Sequence, residues 1–362
     1  MPKAITDLRI DEVDKLVTSL NEPSFRAKQL LAWVYRKLAI SFDEMTDLPA
    51  PFRRKLAEQV KLHILTPVHE VRAKDGTVKV LFSLADGKTV ESALMKYSAV
   101  GDKHRYTVCL STQVGCPIGC PFCATGQQSF ERNLTSGEII DQVLYFARQL
   151  KDMSNGREGD RISNLVFMGM GEPLANYDAL WQAIEILNSP EGFGLSARSM
   201  TISSTGLLPQ IKMLSKEKLQ VGLAISLHAS DNALRDKLVP INKKYPLEEL
   251  LPACSDYFAR TGRRVSFEYV LFDGINDSLA QAQLLAELIH GLNCHVNLIS
   301  ANKTTEQTFR PSPRNKILSF QQELKNRGVN CTFRQSRGQD IDAGCGQLRS
   351  RFASDKNRQP KR

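Results

Sequence analysis

YTVCLSTQVGCPIGCPFC, residues 106–123, joins a predicted β-strand to a loop with three closely spaced cysteines. The strand covers Tyr106–Gln113, and Cys116, Cys120 and Cys123 follow it directly. In a reducing compartment, three clustered thiolates favour an iron-sulfur site. A tetrahedral zinc site needs a fourth ligand nearby, and this loop contains no histidine. The motif therefore predicts a cubane cluster that leaves one iron open to a ligand.

Beyond about residue 105, short apolar strands alternate with helical patterns. The predicted strands are Tyr106–Gln113, Asn164–Met168, Ser199–Ser204, Gln220–Leu227, Arg264–Leu271, Val296–Ser300 and Val329–Arg334. The predicted helices include Gly137–Gln149, Tyr177–Leu187, Leu247–Ala259, Leu279–Leu292 and Lys316–Asn326. Thr135 and Glu138 predict a capping box before the first helix. The alternation predicts an α/β fold, with a helix-covered parallel sheet or barrel whose chemistry lies at the carboxyl ends of the strands.

The first hundred residues have a different pattern. Residues 10–60 place apolar side chains at helical spacing. Residues 69–97 alternate like a β-meander, with hairpin turn signals at Asp75-Gly76 and Asp86-Gly87. We therefore divide the chain into an N-terminal helical domain at 1–65, a β-meander linker at 66–100, an α/β core at 101–336, and a C-terminal loop and basic tail at 337–362.

The net charge of +9 has two possible explanations. Nucleic-acid-binding proteins often carry such an excess, because contacts with phosphates give sequence-independent affinity. A basic surface that is simply exposed to solvent would explain the same net charge. Basic residues concentrate near both ends of the chain, at Arg26, Lys28, Arg36, Lys37, Arg53, Arg54 and Lys55, and at Arg349, Arg351, Lys356, Arg358, Lys361 and Arg362.

The sequence predicts a cytoplasmic protein without membrane segments. No apolar run approaches the ~20 residues that span a bilayer. The first 19 residues carry charges throughout and lack the apolar middle of a signal peptide. Eight cysteines in such a chain indicate metal or redox chemistry rather than a disulfide framework.

The cysteine motif, with Phe122 before its last cysteine, is similar to that of radical S-adenosylmethionine (SAM) enzymes. Nearly the whole chain further resembles the RlmN/Cfr family of RNA adenine methyltransferases. The similar segments are NEPSFRAKQ at 21–29, CLSTQVGC at 109–116, GMGEPL at 169–174, ISLHA at 225–229, VPINKKY at 239–245 and DIDAGCGQL at 340–348. The resemblance implies a partial (β/α)6-type radical SAM barrel, a 4Fe-4S cluster held by the three cysteines, and an N-terminal domain that contacts RNA.

The resemblance also implies which residues bind SAM. The GMGEP turn, through Gly171 and Glu172, would hold the amino group. Residues at the ends of later strands would contact the ribose and carboxylate, and these are Ser203, Ser226, Leu227, His228 and Asn302. The sequence departs from the family pattern at Gly344, where alanine is usual, and in the segment 299–302.

The family mechanism would use two cysteines outside the cluster motif. C2 of adenine is electron-poor and does not attack the methyl group of SAM, whereas a thiolate does. By resemblance, Cys345 takes a methyl group from one SAM, a second SAM supplies the radical, and the methylene radical adds to C2. Cys109 would resolve the adduct through a transient disulfide with Cys345, and Glu91 would accept the C2 proton. A solvated strand-edge carboxylate is the alternative interpretation of Glu91.

The resemblance implies RNA substrates and several partners. These are an adenosine in the peptidyl-transferase region of 23S rRNA, the adenosine beside the tRNA anticodon, and a reducing electron donor such as flavodoxin, for a protein expected to be a monomer. Residues 113–115, 172–173 and 242–244 resemble the C2-methylating branch. Two alternatives remain: a Cfr-type C8 methyltransferase or other radical SAM enzyme, and a non-catalytic RNA-binding iron-sulfur protein.

Overall fold

The structure is a computed structural model that describes residues 3–100, 103–153, 160–301, 309–334, 337–338, 341 and 347–349. Its N-terminal part is helical, in agreement with the periodicity of residues 10–60. A short strand pair frames three helices, and the elements are β1 (Lys3–Ala4), α1 (Ile10–Ser19), α2 (Phe25–Ala32), α3 (Ala50–Gln59) and β2 (Val60–Lys61). In α1, Val13 and Val17 lie on one face and are fully buried, while Glu12 accepts a hydrogen bond from the Arg9 N–H. A π-helical turn at Trp33–Lys37 extends α2.

Three antiparallel strands follow as a meander, β3 (Thr66–Arg72), β4 (Val78–Ser83) and β5 (Thr89–Val100). Both predicted turns are present. Gly76 and Gly87 have φ of 82° and 78°, a conformation that glycine adopts without steric cost. Asp75 and Asp86 each accept a hydrogen bond from the N–H two residues ahead. The meander shares its sheet with the α/β region, because β5 pairs with the next strand of the chain.

The α/β region begins with β6 (Lys103–Cys109) and the two-residue strands β7 (Gln113–Val114) and β8 (Arg132–Asn133). It continues with α4 (Ser136–Met153), β9 (Ile162–Phe167), α5 (Tyr177–Asn188), β10 (Met200–Ser204), α6 (Leu208–Leu214), β11 (Gly222–Ser226), α7 (Asn232–Leu238), α8 (Leu247–Thr261), β12 (Val265–Leu271), α9 (Leu279–Leu288), β13 (Cys294–Ser300), α10 (Arg314–Asn326) and β14 (Cys331–Arg334). The predicted capping box of α4 is confirmed, since Thr135 and Glu138 bond each other's backbone N–H.

Within the described ranges, β6 and β9–β14 pair in parallel, and β3–β5 continue the same sheet in antiparallel fashion. Helical connections follow six of the parallel strands, with two helices between β11 and β12. This is a partial (β/α)6-type barrel, as predicted, with β14 as a short edge strand. Because the strands are parallel, their carboxyl ends lie at one rim, and the loops that leave them form one surface.

One apolar core runs from the N-terminal helices through the barrel, from Val13 to Phe320. A charged contact also joins these parts. The buried Asp141 of α4 bonds the His63 ring at 3.0 Å and accepts the N–H groups of Ile64 and Leu65. Burial alone would raise the pKa of Asp141, but His63, Arg148 and these N–H groups outweigh it and lower the pKa. The N-terminal helices are therefore packed firmly on the barrel.

None of the helices in the described ranges is long and apolar enough to cross a bilayer.

Candidate active site

A cavity of about 350 Å³ lies at the rim where the parallel strands end. Its walls come from the loops after β6, β9, β10 and β11 and from the ends of β12 and β13. Eight of the predicted site residues line it, namely Cys116, Cys120, Cys123, Gly171, Glu172, Ser203, Ser226 and His228. The parallel strand order thus brings together residues that are more than a hundred positions apart in the sequence.

The three motif cysteines lie on a loop of residues 115–131, here called the cysteine loop. Its ends are held together because β7 pairs with β8 and Glu131 N–H donates to the Val114 carbonyl at 2.9 Å. Gly115 has φ of 77°, and a Cβ at this position would lie 2.1 Å from the Ser129 carbonyl oxygen. The loop can therefore close only with glycine at this position.

The donor set of the cysteine loop fits an iron-sulfur cluster. Burial raises the pKa of Cys116 to about 12 and also raises that of Cys120, and the neighbouring motif thiols add to both shifts. Such buried thiols become thiolates when a bound cation compensates their charge. No three His, Cys, Asp or Glu side chains in the described part of the chain are grouped to hold a single ion. A cubane would suit three thiols on one loop, because each thiolate could bind a different iron.

Apolar rings cover the cysteine loop on the cavity side. Phe122 packs edge-on against His228 and contacts Phe272, both with centroids 5.1 Å apart, and Phe309 lies 6.2 Å away. Cys120 is 7% exposed and belongs to the same apolar cluster. An apolar shell of this kind restricts water and sets the local dielectric around a metal group.

The loop after β9 carries the GMGEP turn against the chain that leads into the cysteine loop. Gly171 has φ of 103°, and a Cβ there would lie 2.6 Å from the side chain of Gln113. Glu172 N–H donates to Gln113 Oε1 at 2.8 Å. The Glu172 carboxylate accepts the N–H and hydroxyl of Thr205, both at 2.8 Å, and the N–H of Leu174 at 3.2 Å. The Ser204 hydroxyl is a further donor to this carboxylate, which lies at the wall of the cavity.

Burial raises the pKa of Glu172, although the hydrogen bonds from Thr205 oppose the shift. A carboxylate buried in this way gains from a cationic partner, because an unpaired charge in a dry site is costly. The position beside the cavity therefore fits an ammonium group.

The other predicted SAM ligands occupy different environments. Ser203 and Ser226 are half-buried at the ends of β10 and β11 and line the cavity. The Leu227 side chain is fully buried in the barrel core, where its N–H donates to the Glu268 carbonyl. Asn302 lies outside the described residues, while Ser300 and Ala301 just before it line the cavity.

His228 is held as a neutral ring. Burial, with a smaller effect of Arg235, lowers its pKa to about 3. Its Nδ1 accepts the Val270 N–H at 3.1 Å, which leaves Nε2 as the protonated ring nitrogen. The residue has φ of 59°, a left-handed conformation that is uncommon outside glycine, asparagine and aspartate. Such a position indicates a site where the surrounding structure fixes the backbone.

Arg235 is a functional candidate that the sequence did not reveal. It is fully buried on α7, and its guanidinium donates to the carbonyls of Thr205, Ser226 and Leu227 and to Asn242 Oδ1. One cation thus ties together the loops after β10 and β11, both of which line the cavity. Nothing in the local pattern of α7 distinguishes this arginine from a surface one.

A second group of chemically active side chains lies beside the cavity, on the meander and β6. Cys109, the predicted resolving thiol, is at the end of β6, and its Sγ accepts the Met168 N–H. Glu91, the predicted proton acceptor, is 3% exposed and lies 2.6 Å from the ammonium of Lys79, which is itself buried. The alternative of a solvated carboxylate at Glu91 is therefore wrong.

Strand register explains why these side chains meet. Lys79 pairs with Ala93 between β4 and β5, and Ala93 pairs with Cys109 between β5 and β6. Glu91 is two residues from Ala93 and so lies on the same face of the sheet. Burial raises the pKa of Cys109 to about 11, Lys79 opposes this shift, and Glu91 adds to it. Lys79 was not predicted from the sequence. The sequence feature that could have identified it is a lysine inside the apolar stretch VKVLF.

The C-terminal segment returns to this second group. Arg349 N–H donates to Glu91 Oε1, and the Arg349 guanidinium bonds Gln128 and Glu131 of the cysteine loop, both at 2.7 Å. Cys345, the predicted methyl carrier four residues earlier, lies outside the described residues. The segment that follows it thus contacts both Glu91 and the cysteine loop.

Sequence comparisons match two families. Residues 4–62 match the ribosomal RNA large subunit methyltransferase N-terminal domain, and residues 110–284 match the radical SAM superfamily. The probable dual-specificity RNA methyltransferase RlmN of Geobacillus kaustophilus is 43% identical over 355 residues, which cover 98% of this chain and 94% of that protein. The protein of the same name from Chloroflexus aurantiacus is 46% identical, over 97% of this chain and 94% of that one.

A solved structure agrees with both matches. The crystal structure of a radical SAM methyltransferase from Sphaerobacter thermophilus has a TM-score of 0.90 and 47% identity, and the alignment covers 96% of this chain and 99% of that chain. Identity at this level over almost the full length places the chain in a family. The protein belongs to the RlmN family of dual-specificity RNA methyltransferases, within the radical SAM superfamily.

Proposed function

We propose that this protein methylates C2 of an adenine in RNA, through a methylated Cys345 and a covalent protein–RNA intermediate. The observation that carries the proposal is the position of Cys109. This thiol lies beside a buried carboxylate, Glu91, and next to the cavity of the cysteine loop rather than within it. RNA binding alone, or cluster binding alone, needs neither group.

Residues of the cavity and of the strand ends beside it would hold the cofactors. Cys116, Cys120 and Cys123 would bind a 4Fe-4S cluster, and SAM would lie against Gly171, Glu172, Ser203, Ser226, Leu227, His228 and Asn302. When bound, these groups supply the methyl group, the reducing electron and the 5′-deoxyadenosyl radical. The apolar cover formed by Phe122, Phe272 and Phe309 keeps water from that reactive species. One turnover would use two SAM molecules.

The protein side of the chemistry would pass through two sulfurs. Cys345 takes the methyl group as a thiolate and later joins its methylene carbon to C2 of the adenine. The adduct radical would give up one electron to the 4Fe-4S cluster. Glu91 would then accept the proton from C2, which restores the aromatic ring. The Cys109 thiolate then forms an S–S bond with Cys345 while the bond from Cys345 to carbon breaks; its electron pair stays on the carbon, and a proton from water completes the methyl group. The reducing partner would return the disulfide to two thiols.

The anchor at Arg349 supports this route. Four residues extend over at most about 14 Å. A tail that is bound to Glu91 at Arg349 can therefore bring Cys345 to both Cys109 and the cavity. The same contact explains how a residue at the far end of the chain would serve a site on β5 and β6.

We propose both 23S rRNA and tRNA as substrates, in accordance with the dual specificity named for the relatives. The N-terminal helical domain would contact the RNA. A reducing partner such as flavodoxin would supply electrons to a monomeric enzyme in the cytoplasm. A C8-methylating activity is the second candidate, and product analysis separates the two.

Nucleoside mass spectrometry tests the proposal. A strain without the gene receives the wild type, Cys345→Ala, or the control Cys254→Ala, which changes a buried cysteine of α8. We expect 2-methyladenosine in 23S rRNA and tRNA with the wild type and the control, and none with Cys345→Ala. If 8-methyladenosine appears instead, the C8 assignment is correct. If RNA is unchanged by the wild-type gene, the methyltransferase proposal fails.

A further inference from the structure

Lys79 is a buried cation that the proposed chemistry does not yet use. Its side chain is 4% exposed on β4, and its Nζ lies 2.6 Å from Glu91 Oε2. The residues on either side, Val78 and Val80, are also buried. A buried ion pair is costly to desolvate, and an apolar pair of similar volume stabilises a fold equally well or better. The pair therefore points to a role other than stability.

The geometry connects Lys79 to Cys109 as well as to Glu91. Adjacent strands are about 4.8 Å apart, so the Cα atoms of Lys79 and Cys109 lie about 10 Å from each other across β5. Between them stands Ala93, whose methyl group leaves room for the lysine side chain. Within the described part of the chain, Lys79 and Glu91 are the charged groups that act on the Cys109 thiol, with opposite signs.

We propose that Lys79 is a positioning residue that serves Glu91 and Cys109 in turn, first as the ion-pair partner of Glu91 and then as the cation that stabilises the Cys109 thiolate. This rests on the proposed function, in which Glu91 accepts a proton and Cys109 attacks a sulfur. One ammonium group compensates one negative charge effectively in a dry site. While Glu91 is a carboxylate, it holds Lys79 and disfavours a second anion at Cys109.

Proton transfer changes this balance. When Glu91 takes the proton from C2, it becomes neutral and the ammonium of Lys79 faces the thiol without a competing anion. The Cys109 proton is then lost to solvent, to which part of the residue is exposed although burial dominates the environment of its thiol. The thiolate therefore forms when the C2 proton has left, so resolution of the adduct follows deprotonation rather than preceding it. Burial keeps the thiol protonated before that moment, because its pKa of about 11 lies far above neutrality.

The test measures Cys109 reactivity in the reconstituted full-length protein without RNA. A small alkylating reagent is applied at several pH values, and the rate at each cysteine is followed by peptide mass spectrometry. We expect Lys79→Met to slow alkylation of Cys109 about tenfold at pH 8, and Lys79→Arg to retain most of the wild-type rate. Lys74→Met, on the exposed turn between β3 and β4, is the matched control and should leave the rate unchanged.

A double-mutant cycle tests the exchange of partners. Glu91→Gln imitates the protonated acid and should speed alkylation of Cys109 several-fold, but only while Lys79 is present. Lys79→Met/Glu91→Gln contains no unpaired buried charge, so it also serves if Lys79→Met does not fold. Equal Cys109 rates in Glu91→Gln and in the double variant would overturn the proposal.

The outcome is separable from that of the methyltransferase proposal, because the alkylation needs neither RNA nor turnover. In turnover with RNA, Lys79→Met should accumulate the covalent adduct, and Lys79→Arg should release most of it. A variant that alkylates slowly yet releases product at the wild-type rate would show that Lys79 does not act in the reaction. If Cys109→Ala also traps no adduct, the methyltransferase proposal fails instead.

Discussion

Cys116, Cys120 and Cys123 lie on a loop, whereas Cys109 lies at the end of a strand beside two charged side chains. The cysteine loop is covered by the rings of Phe122, Phe272 and Phe309. On the β5–β6 side, Lys79 and Glu91 form a buried ion pair. The first environment suits three thiolates that a metal cluster neutralises. The second suits a thiol that has to change its ionisation during a reaction.

The two regions also depend on the sequence in different ways. The cysteine loop is local: its ends pair within about twenty residues, and Gly115 permits the closure. The Lys79, Glu91 and Cys109 group depends on the register of three strands. A shift of one residue in β5 would turn Glu91 to the opposite face of the sheet. We therefore expect mutations in the two regions to stop the reaction at different steps.

The largest effect should follow Cys120→Ala. Two thiolates cannot hold a cubane that three were positioned to bind, so the protein should lose its brown charge-transfer absorption and all turnover. No RNA adduct should form, because every later step needs the radical. Anaerobic reconstitution followed by absorption spectroscopy and iron analysis checks this result. A variant that retains a full cluster would show that Cys120 is not a ligand, and a wild type that binds only zinc would contradict the cluster assignment.

Cys109→Ala should instead leave the cluster intact and stop only the last step. No thiol would remain to attack the tethered sulfur, so a covalent protein–RNA species should accumulate, visible as a slow gel band that RNase collapses. Cys345→Ala should form neither methylated protein nor adduct, and Cys254→Ala should behave as wild type. Normal turnover of Cys109→Ala without trapped RNA is the result that would disprove the two-cysteine mechanism.

Much of the fold could be predicted because its determinants are local. The spacing of the three cysteines, the capping box of Thr135 and Glu138, and the alternation of strands and helices need no knowledge of distant contacts. Ends of elements were less accurate. The first core strand was expected to extend to Gln113 but ends at Cys109, since Thr112 and Gln113 turn to bond the Met170 carbonyl and β8.

Residues whose role depends on tertiary contacts were harder to find. The short helices α6 and α7 were absent from the predicted set, and with α7 the buried Arg235 was missed. Lys79 was missed because its partners lie on β5 and β6, and pairing between strands is not encoded in local spacing. Glu91 was identified only through resemblance to a family. Its burial and its ion pair became visible in the folded sheet.

A smaller effect should appear in the pH dependence of stability, on the cavity side. The pKa of His228 is lowered by burial to about 3, against about 6.5 in an unfolded chain. Between these values the unfolded state binds the extra proton, so this residue makes stability fall with falling pH, by up to about 1.4 kcal/mol per unit. Above pH 6.5 it contributes nothing. Asparagine tolerates the positive φ. In His228→Asn the free energy of unfolding, measured by urea titration, should therefore fall less between pH 7 and pH 5 than in the wild type.

The exposed His290 provides the control for that experiment. In His290→Asn the free energy of unfolding should fall between pH 7 and pH 5 as steeply as in the wild type. If the free energy of unfolding depends on pH in the same way in His228→Asn and in the wild type, this ring is protonated in the folded protein. No comparable slope is expected from Cys109 near neutral pH, because burial raises the pKa of this thiol to about 11.

The smallest expected effect concerns RNA binding by basic side chains of the N-terminal domain. Lys28 is 76% exposed and Arg54 is exposed, whereas Arg26 is largely covered and donates to the Asp47 carbonyl at 2.9 Å. Lys28→Ala/Arg54→Ala should therefore weaken RNA binding a few-fold and lower the salt slope by about 1.5, as expected for two lost phosphate contacts. Arg26→Ala should lower the melting temperature and leave the slope unchanged. Binding titrations at several salt concentrations measure the slope and thermal unfolding measures the melting temperature, and an unchanged slope in the double variant would mean that these two side chains are merely solvated.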